Sequence, residues 1–127
     1  MNKTIILSTN APQPVGPYSQ AVMSGQFIFL AGQIPLTKEG KKIDGGITEQ
    51  TEQVITNIIA VLAAGGTTLE RVVKVTVFLQ DMNDFKAMNE VYAKYFKPGY
   101  APARSTVQVA RLPMDSLVEI EAIAEIS

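Results

Sequence analysis

Hydrophobic residues recur at helical spacing in the middle of the chain. They lie three or four positions apart, as on the buried face of an amphipathic helix, and the set is Ile47, Thr51, Val54, Ile55, Ile58, Ile59 and Leu62. Thr48 is the candidate N-cap of this helix, and Gly65 with Gly66 supplies its stop. The pattern predicts a helix whose apolar stripe packs on a sheet.

The rest of the chain predicts a second helix and six strands. Residues 84–96 form the helix, with its aromatic and methionine positions toward the interior: Phe85, Met88, Tyr92, Tyr95 and Phe96. Runs of alternating apolar residues bounded by turn residues predict the strands, at residues 3–7, 18–23, 27–31, 72–79, 105–109 and 117–126. Ser24-Gly25-Gln26 predicts a hairpin turn between the second and third strands.

This order of elements predicts an α+β fold, a two-layer α/β sandwich with a mixed sheet of about six strands. Two helices cover only one face of such a sheet. In the last strand the small apolar side chains share one face, suited to the helices: Val118, Ile120, Ala122, Ala124 and Ile126. The opposite face mixes Glu119 and Glu121 with apolar groups, together with Val73, Val75 and Val77 or their alternates. We expect this face to meet another subunit.

Composition narrows the functional classes. The 127 residues suit one domain, 1–127, and 46% hydrophobic with 18% charged residues is typical of a globular protein. The net charge of -1 lacks the basic excess of a nucleic-acid binder, so we expect no nucleic-acid partner. No run approaches the ~20 apolar residues of a membrane span, and no signal peptide is recognisable, so we expect no membrane association.

The chain contains no cysteine and no histidine. Thiol and imidazole nucleophiles, imidazole bases and the usual zinc ligands are therefore excluded, and we expect no metal site. Proton chemistry must use carboxylates, lysine, tyrosine or bound water. No disulfide can form, which favours a cytoplasmic location.

Arg104 and two glutamates are the leading candidates for chemistry. The guanidinium of Arg104, at the start of a predicted strand, is suited to bidentate binding of a small carboxylate. Glu119 and Glu121 lie on one face of the last strand, and either could orient a water or move a proton. Arg104 could equally be a solvated surface arginine, and either glutamate an intersubunit ion-pair partner. Lys74 is a weaker candidate, for a Schiff base.

Several segments resemble the RidA group of the Rid family, the reactive intermediate (imine) deaminases formerly called YjgF proteins. The segments are APQPVGPYSQAV, FLAGQIPL, VVKVTVFLQDMNDF, NEVYAKYF and PARSTVQVARLPMDSLVEIE. The resemblance implies a chorismate-mutase-like fold and a homotrimer with clefts between neighbouring subunits. It also implies hydrolysis of 2-imino acids and their enamines, such as 2-aminoacrylate and 2-iminobutyrate, to 2-keto acids and ammonia, without cofactors.

The resemblance also implies roles for individual residues. Arg104 would hold the substrate carboxylate, Glu119 would position the attacking water, and Tyr18 would line the cleft as a catalytic residue. The remaining substrate-binding positions would be Gly32, Asn89, Ala31 and the backbone at Thr106. Ala31 stands where many members have Ser, which removes a possible hydroxyl contact, and Thr106 stands where many have Cys.

Other functions remain open at this point. The same arginine would serve a regulatory module that senses keto or imino acids without turnover. Ribonuclease activity or translation inhibition, also ascribed to family members, is disfavoured by the net charge and the lack of histidine. A purely structural trimer or a chaperone would need no cleft chemistry.

Overall fold

The six strands of the chain form one mixed sheet. A computed structural model describes residues 2–126, with strands β1 Lys3–Ile6, β2 Ala21–Ser24, β3 Phe27–Gln33, β4 Val72–Leu79, β5 Ala103–Gln108 and β6 Val118–Glu125, and with helices α1 Ile47–Ala64 and α2 Phe85–Tyr95. The strand order is β1-β2-β3-β6-β4-β5. Only β4 and β5 run parallel, because α2 crosses over between them, and all other neighbours are antiparallel. The predicted α+β fold with a six-stranded mixed sheet is confirmed.

Both helices pack on one face of the sheet. In β6 the buried positions are Val118, Ile120, Ala122 and Ala124, as the alternation predicts, and they join the apolar stripe of α1 in the core. The stripe of α1 differs at one position, since Ile59 is 40% exposed and Val61 is buried instead. In β4, Val75 and Val77 are buried in the core. Their alternates Lys74, Thr76 and Phe78 therefore lie on the other face.

The second face of the sheet carries no element of the described residues. We call it the open face. It exposes apolar side chains on β1, β3 and β5, namely Ile5, Phe27, Phe29 and Val107, beside the carboxylates of Glu121 and Glu125. An apolar surface of this kind on a sheet is typical of an interface. Contact with another subunit stays a prediction.

Several element ends differ from the sequence prediction. The second strand begins at Ala21, so Tyr18 lies in the preceding loop, and β5 begins at Ala103, so Arg104 lies inside the strand. The N-cap of α1 is Gly46, not Thr48, and its N–H donates to the Glu49 carboxylate at 2.8 Å. The Glu49 carboxylate thus satisfies the N–H of the cap residue, and the glycine cap offers no side-chain acceptor to the first turn. No helix within residues 2–126 is long and apolar enough to cross a membrane.

Candidate functional site

Glu119 occupies the open face of β6, where the neighbouring strand makes room for it. The pairing of β3 with β6 shifts between Leu30 and Gln33, so the strand bulges at Ala31 and Gly32. A Cβ at Gly32 would lie 2.0 Å from Oε2 of Glu119 and 2.8 Å from its Cδ. Only glycine lets the carboxylate rest against this backbone. Bulges commonly re-aim strands beside functional sites, and this one accommodates the candidate acid.

A cavity of about 550 Å³ opens at this point, and we call it the Glu119 cavity. Four residues that the sequence singled out line it: Tyr18, Ala31, Gly32 and Glu119. Most of the remaining wall is apolar, as in small-molecule sites that carry a few placed polar groups. The structure therefore brings the predicted cleft residue Tyr18 and the predicted acid Glu119 to one site.

The loop before β2 forms one wall of the Glu119 cavity. The Tyr18 side chain is 55% exposed, and its hydroxyl accepts a hydrogen bond from the Val15 N–H at 3.3 Å. The buried amide of Gln20 fixes the same loop. Its Oε1 accepts from the Ser8 N–H at 2.6 Å, and its Nε2 donates to the carbonyls of Ser8 and Pro12 at 3.1 and 2.9 Å.

The sequence prediction did not single out Gln20. A proline-rich loop has few N–H donors of its own, so its carbonyls need donors from elsewhere. That requirement is the signal that would have marked a nearby glutamine or asparagine.

The connection between β5 and β6 forms another wall, which the sequence prediction also missed. Pro113 and Met114 line the cavity, and Met114 and Asp115 both adopt left-handed backbone angles, with φ of 56° and 54°. Non-glycine residues adopt such angles at a cost, so surrounding contacts must hold them. The Arg111 guanidinium reaches the Asp115 carboxylate at 2.8 Å, and the Ser116 hydroxyl donates to the Pro113 carbonyl at 2.8 Å.

The carboxyl group of Glu119 is electrostatically unusual. Burial raises its pKa above the ordinary glutamate value, and the negative charge of Glu121 on the same face raises it further. No cation of the described residues forms an ion pair with it. A carboxylate with a raised pKa is a better proton acceptor, which suits a general base.

Arg104 lies elsewhere, against the second helix. The Cζ atom of its guanidinium is 4.6 Å from the centroid of the Tyr92 ring and 5.6 Å from that of Phe85. Asn89 shares the side of α2 that carries these rings, because it follows Phe85 by four residues and precedes Tyr92 by three. Thr106 follows Arg104 by two residues along β5 and therefore shares its face. We call this group the Arg104 edge, since β5 is an edge strand.

The Glu119 cavity and the Arg104 edge lie on opposite faces of the sheet. Arg104 pairs with Val75, which is buried beneath the helices, whereas Glu119 pairs with Phe78 on the other face of β4. Within one chain the predicted substrate-binding arginine and the predicted catalytic acid are therefore not brought together. Tyr18, Ala31 and Gly32 belong with Glu119, and Asn89 and Thr106 belong with Arg104.

Lys74 and Glu121 line a smaller pocket on the open face. This pocket of about 230 Å³ lies between β3, β6 and β4, and the Lys74 amine donates to the Ser105 hydroxyl at 3.1 Å. Neither side chain lines the Glu119 cavity. The choice of Glu119 rather than Glu121 as the catalytic acid stays a prediction.

The sequence matches the Endoribonuclease L-PSP family over residues 8–126. It is 57% identical to a RutC family protein of Pyrococcus horikoshii, across 96% of this chain and 97% of that protein. It is 46% identical to Reactive Intermediate Deaminase A, chloroplastic, of Arabidopsis thaliana, across 98% of this chain and 66% of that protein. The chain belongs to the Rid family.

The fold of this Rid chain agrees with that of a relative studied with a small molecule. The crystal structure of Escherichia coli TdcF with bound serine superimposes with a TM-score of 0.91, at 42% identity, and covers 98% of this chain and 99% of that one. The resemblance to the RidA group is confirmed, as is the chorismate-mutase-like fold expected from it. At the level of the family, the relatives support an activity of the deaminase type.

Proposed function

We propose that this Rid protein hydrolyses reactive 2-imino acids and their enamine tautomers, such as 2-aminoacrylate and 2-iminobutyrate, to 2-keto acids and ammonia. The observation that carries the proposal is the pair of complementary groups. A guanidinium without a carboxylate partner in residues 2–126 fits the substrate's acid group, and a half-buried carboxylate with a raised pKa suits activation of water. One relative is named a reactive intermediate deaminase, and another was crystallised with serine, a small molecule with a carboxylate and an amino group.

The proposed site is shared between subunits of a homotrimer. Arg104 and Glu119 face opposite sides of one sheet, so one substrate can touch both only if they come from different chains. The open face exposes Phe27, Phe29 and Val107, which supports its contact with a second copy. In this arrangement the Arg104 edge of one protomer closes the Glu119 cavity of the next.

The proposed reaction needs only these groups and water. Arg104 holds the substrate carboxylate, and Glu119 accepts a proton from a water as the water oxygen bonds to C2 and the C=N π electrons move to nitrogen. The resulting carbinolamine loses ammonia as its C–N bond breaks. The proton held by Glu119 passes to the departing nitrogen. The carbinolamine hydroxyl gives its proton to solvent water as C=O forms, leaving the 2-keto acid and ammonia.

Positioning supplies much of the rate acceleration in this scheme. An iminium carbon is already electrophilic, so the protein has to align it with a water rather than generate a strong nucleophile. The negative charge of Glu119 also favours positive charge on the imine nitrogen. Tyr18 and the backbone of Gly32 would line the cleft beside the reacting carbon, and Asn89 and the backbone at Thr106 would support the substrate beside Arg104.

The family description also names an endoribonuclease. RNA binding usually relies on a basic surface, and the net charge of this chain is -1. The absence of histidine removes the commonest acid–base residue from RNA cleavage. A carboxylate sensor without turnover remains the closer alternative, because it would use the same Arg104 edge.

The test is hydrolysis of imine generated freshly by an amino acid dehydratase, followed as release of 2-keto acid and ammonia. Arg104→Ala should lower kcat/KM by about 10²-fold or more, because charge-assisted hydrogen bonds to a carboxylate are lost. Glu119→Gln should lower kcat by about 10²- to 10⁴-fold.

Arg71→Ala is the matched control, since it removes an exposed arginine that lines neither pocket and should leave the rate unchanged. Wild-type rates in folded Arg104→Ala protein would overturn the proposal. Tight binding of 2-ketobutyrate by a wild-type protein that releases no ammonia from imine would establish the sensor instead.

A further inference from the structure

The Arg104 guanidinium is held by aromatic rings. Its Cζ lies 4.6 Å from the Tyr92 centroid and 5.6 Å from that of Phe85, both within the ~6 Å range of cation–π contacts. The Tyr92 ring is itself fixed, since it stacks on Phe96 with centroids 4.4 Å apart and is only 7% exposed. The two rings therefore form a rigid support on α2 for a long and otherwise flexible side chain.

No carboxylate of residues 2–126 shares this support. The ion pairs in that part of the chain join Lys94 to Glu52 and Arg111 to Asp115. A guanidinium in a bidentate pair with a protein carboxylate has its donors occupied, whereas stacking on a ring uses only the face of the plane. Arg104 forms no such pair within residues 2–126, so it keeps N–H donors for the carboxylate of a ligand.

The hydroxyl of Tyr92 does not take the place of a carboxylate. Burial raises its pKa above the ordinary tyrosine value, an effect that the positive charge of Arg104 partly opposes. The group is therefore neutral at physiological pH. The hydroxyl is buried and makes no hydrogen bond of ordinary geometry within residues 2–126, although a weak hydrogen bond with Arg104 also lowers its pKa. The main support that Tyr92 gives Arg104 is its ring.

We propose that Phe85 and Tyr92 are positioning residues that hold the Arg104 guanidinium in place for the substrate carboxylate while leaving its in-plane N–H donors free. This inference rests on the proposed function, because it assumes that Arg104 binds a carboxylate. It adds that the affinity for the acid group depends on two rings that touch neither the substrate nor the reacting atoms.

Three variants test this proposal. They separate the effect of the aromatic ring from the effect of the hydroxyl and from the effect of side-chain size. Tyr92→Phe keeps the ring and removes the unpaired hydroxyl, whereas Tyr92→Leu and Phe85→Leu keep apolar bulk and remove the ring. The probe is 2-ketobutyrate, titrated into the intact protein, together with KM and kcat for fresh imine. Thermal unfolding and oligomer size are recorded for each variant.

We expect each leucine variant to raise the Kd for 2-ketobutyrate and the KM by about 5- to 30-fold, with a smaller change in kcat. Tyr92→Phe should stay within about twofold of the wild type. Leucine variants that fold and bind 2-ketobutyrate like the wild type would overturn the proposal. Phe85 is only partly buried, so Phe85→Leu gives the answer if Tyr92→Leu fails to fold.

A spectroscopic readout makes the test independent of the reaction. The side-chain Nε–H resonance of Arg104, assigned by its absence in Arg104→Ala, should show a ring-current shift in the wild type and in Tyr92→Phe. It should move toward the position of a solvated arginine in both leucine variants.

If the wild type shows the shifted resonance but neither binds 2-ketobutyrate nor hydrolyses imine, the proposed function fails while the positioning of Arg104 stands. An unshifted resonance in the wild type overturns the positioning alone.

Discussion

In the Glu119 cavity the carboxylate lies against the backbone of a glycine, whereas at the Arg104 edge the guanidinium lies against aromatic rings. In the cavity, a glycine in a bulged strand leaves room for a carboxylate whose pKa is raised by burial and by Glu121. At the edge, Phe85 and Tyr92 support a guanidinium that has no carboxylate partner among the described residues. Each region contains the charge that the other lacks.

This difference indicates how the work of the site is divided. A raised pKa favours proton transfer, and an unpaired, fixed guanidinium favours binding of an acid group. If the two charges faced each other permanently in one chain, the arginine would lower the pKa of the glutamate and occupy the place of the ligand. Opposite faces of the sheet keep them apart within one chain, and in the proposed homotrimer they would meet only where two protomers adjoin.

The largest effect is expected from a test of whether the two groups act from different chains. It combines two variants that we expect to be inactive alone. Arg104→Ala keeps an intact Glu119 cavity, and Glu119→Gln keeps an intact Arg104 edge. Co-expressed chains should form mixed trimers in which one cleft has both halves intact. A random mixture should recover about a quarter of the wild-type kcat, because about three quarters of the trimers are mixed and about one cleft in three of each is complete.

Each homogeneous variant is the control for that measurement, with the mixed species isolated by two affinity tags. Mixed trimers that are no more active than the homogeneous variants would contradict a site shared between chains, since both groups would then have to act within one chain.

A second test adds a methyl group to the cavity. In Gly32→Ala the new Cβ would lie 2.0 Å from the Glu119 carboxylate, so we expect the acid to move and kcat to fall by about 10- to 100-fold. Binding of 2-ketobutyrate should change much less, because the Arg104 edge is untouched. Gly46→Ala, outside the cavity, is the control, because a Cβ there meets nothing closer than 3.9 Å. An unchanged kcat in Gly32→Ala would show that the position of the carboxylate is not critical.

The smallest expected effect is a shift in the pH dependence of kcat, which follows the pKa of Glu119. Glu119 must be deprotonated to accept a proton, so activity should rise with pH through its raised pKa. Glu121→Gln removes a like charge that helps to raise this pKa. The acidic limb of the kcat profile should therefore move to lower pH. Glu125→Gln, farther along the same strand face, should leave the limb in place, and an equal shift in both variants would contradict this account.

The sequence predicted the layers of the fold because they depend on local periodicity. The alternation in β6 placed Val118 and Ile120 beneath the helices and Glu119 on the other face, as the structure has them. It misplaced the start of β2, because Tyr18 lies only three residues before the apolar run that begins at Ala21, although hydrogen bonds of Gln20 hold this segment as a loop. Ile59 has the helical spacing of a core residue but is 40% exposed, because it lies about 100° around α1 from the buried Ile58.

The candidate residues were identified by motif, but their grouping depends on contacts between distant segments. That Arg104 and Glu119 face opposite sides follows from the pairing of β4 with both β5 and β6. These three strands are separated along the chain, so no short segment of the sequence reveals how they pair. The bulge at Gly32 likewise depends on a side chain far along the chain, and the left-handed angles of Met114 depend on tertiary contacts rather than on propensity.

The position of β6 has a consequence for the newly made chain. It is the sixth strand in chain order, yet it lies in the middle of the sheet, between β3 and β4. Until the ribosome has released it, the hairpins before α1 and the β4–α2–β5 unit have no strand to join them. The nascent chain must therefore keep two half-sheets with unpaired edges, which are prone to aggregation, and this sheet can fold cooperatively only once β6 has emerged.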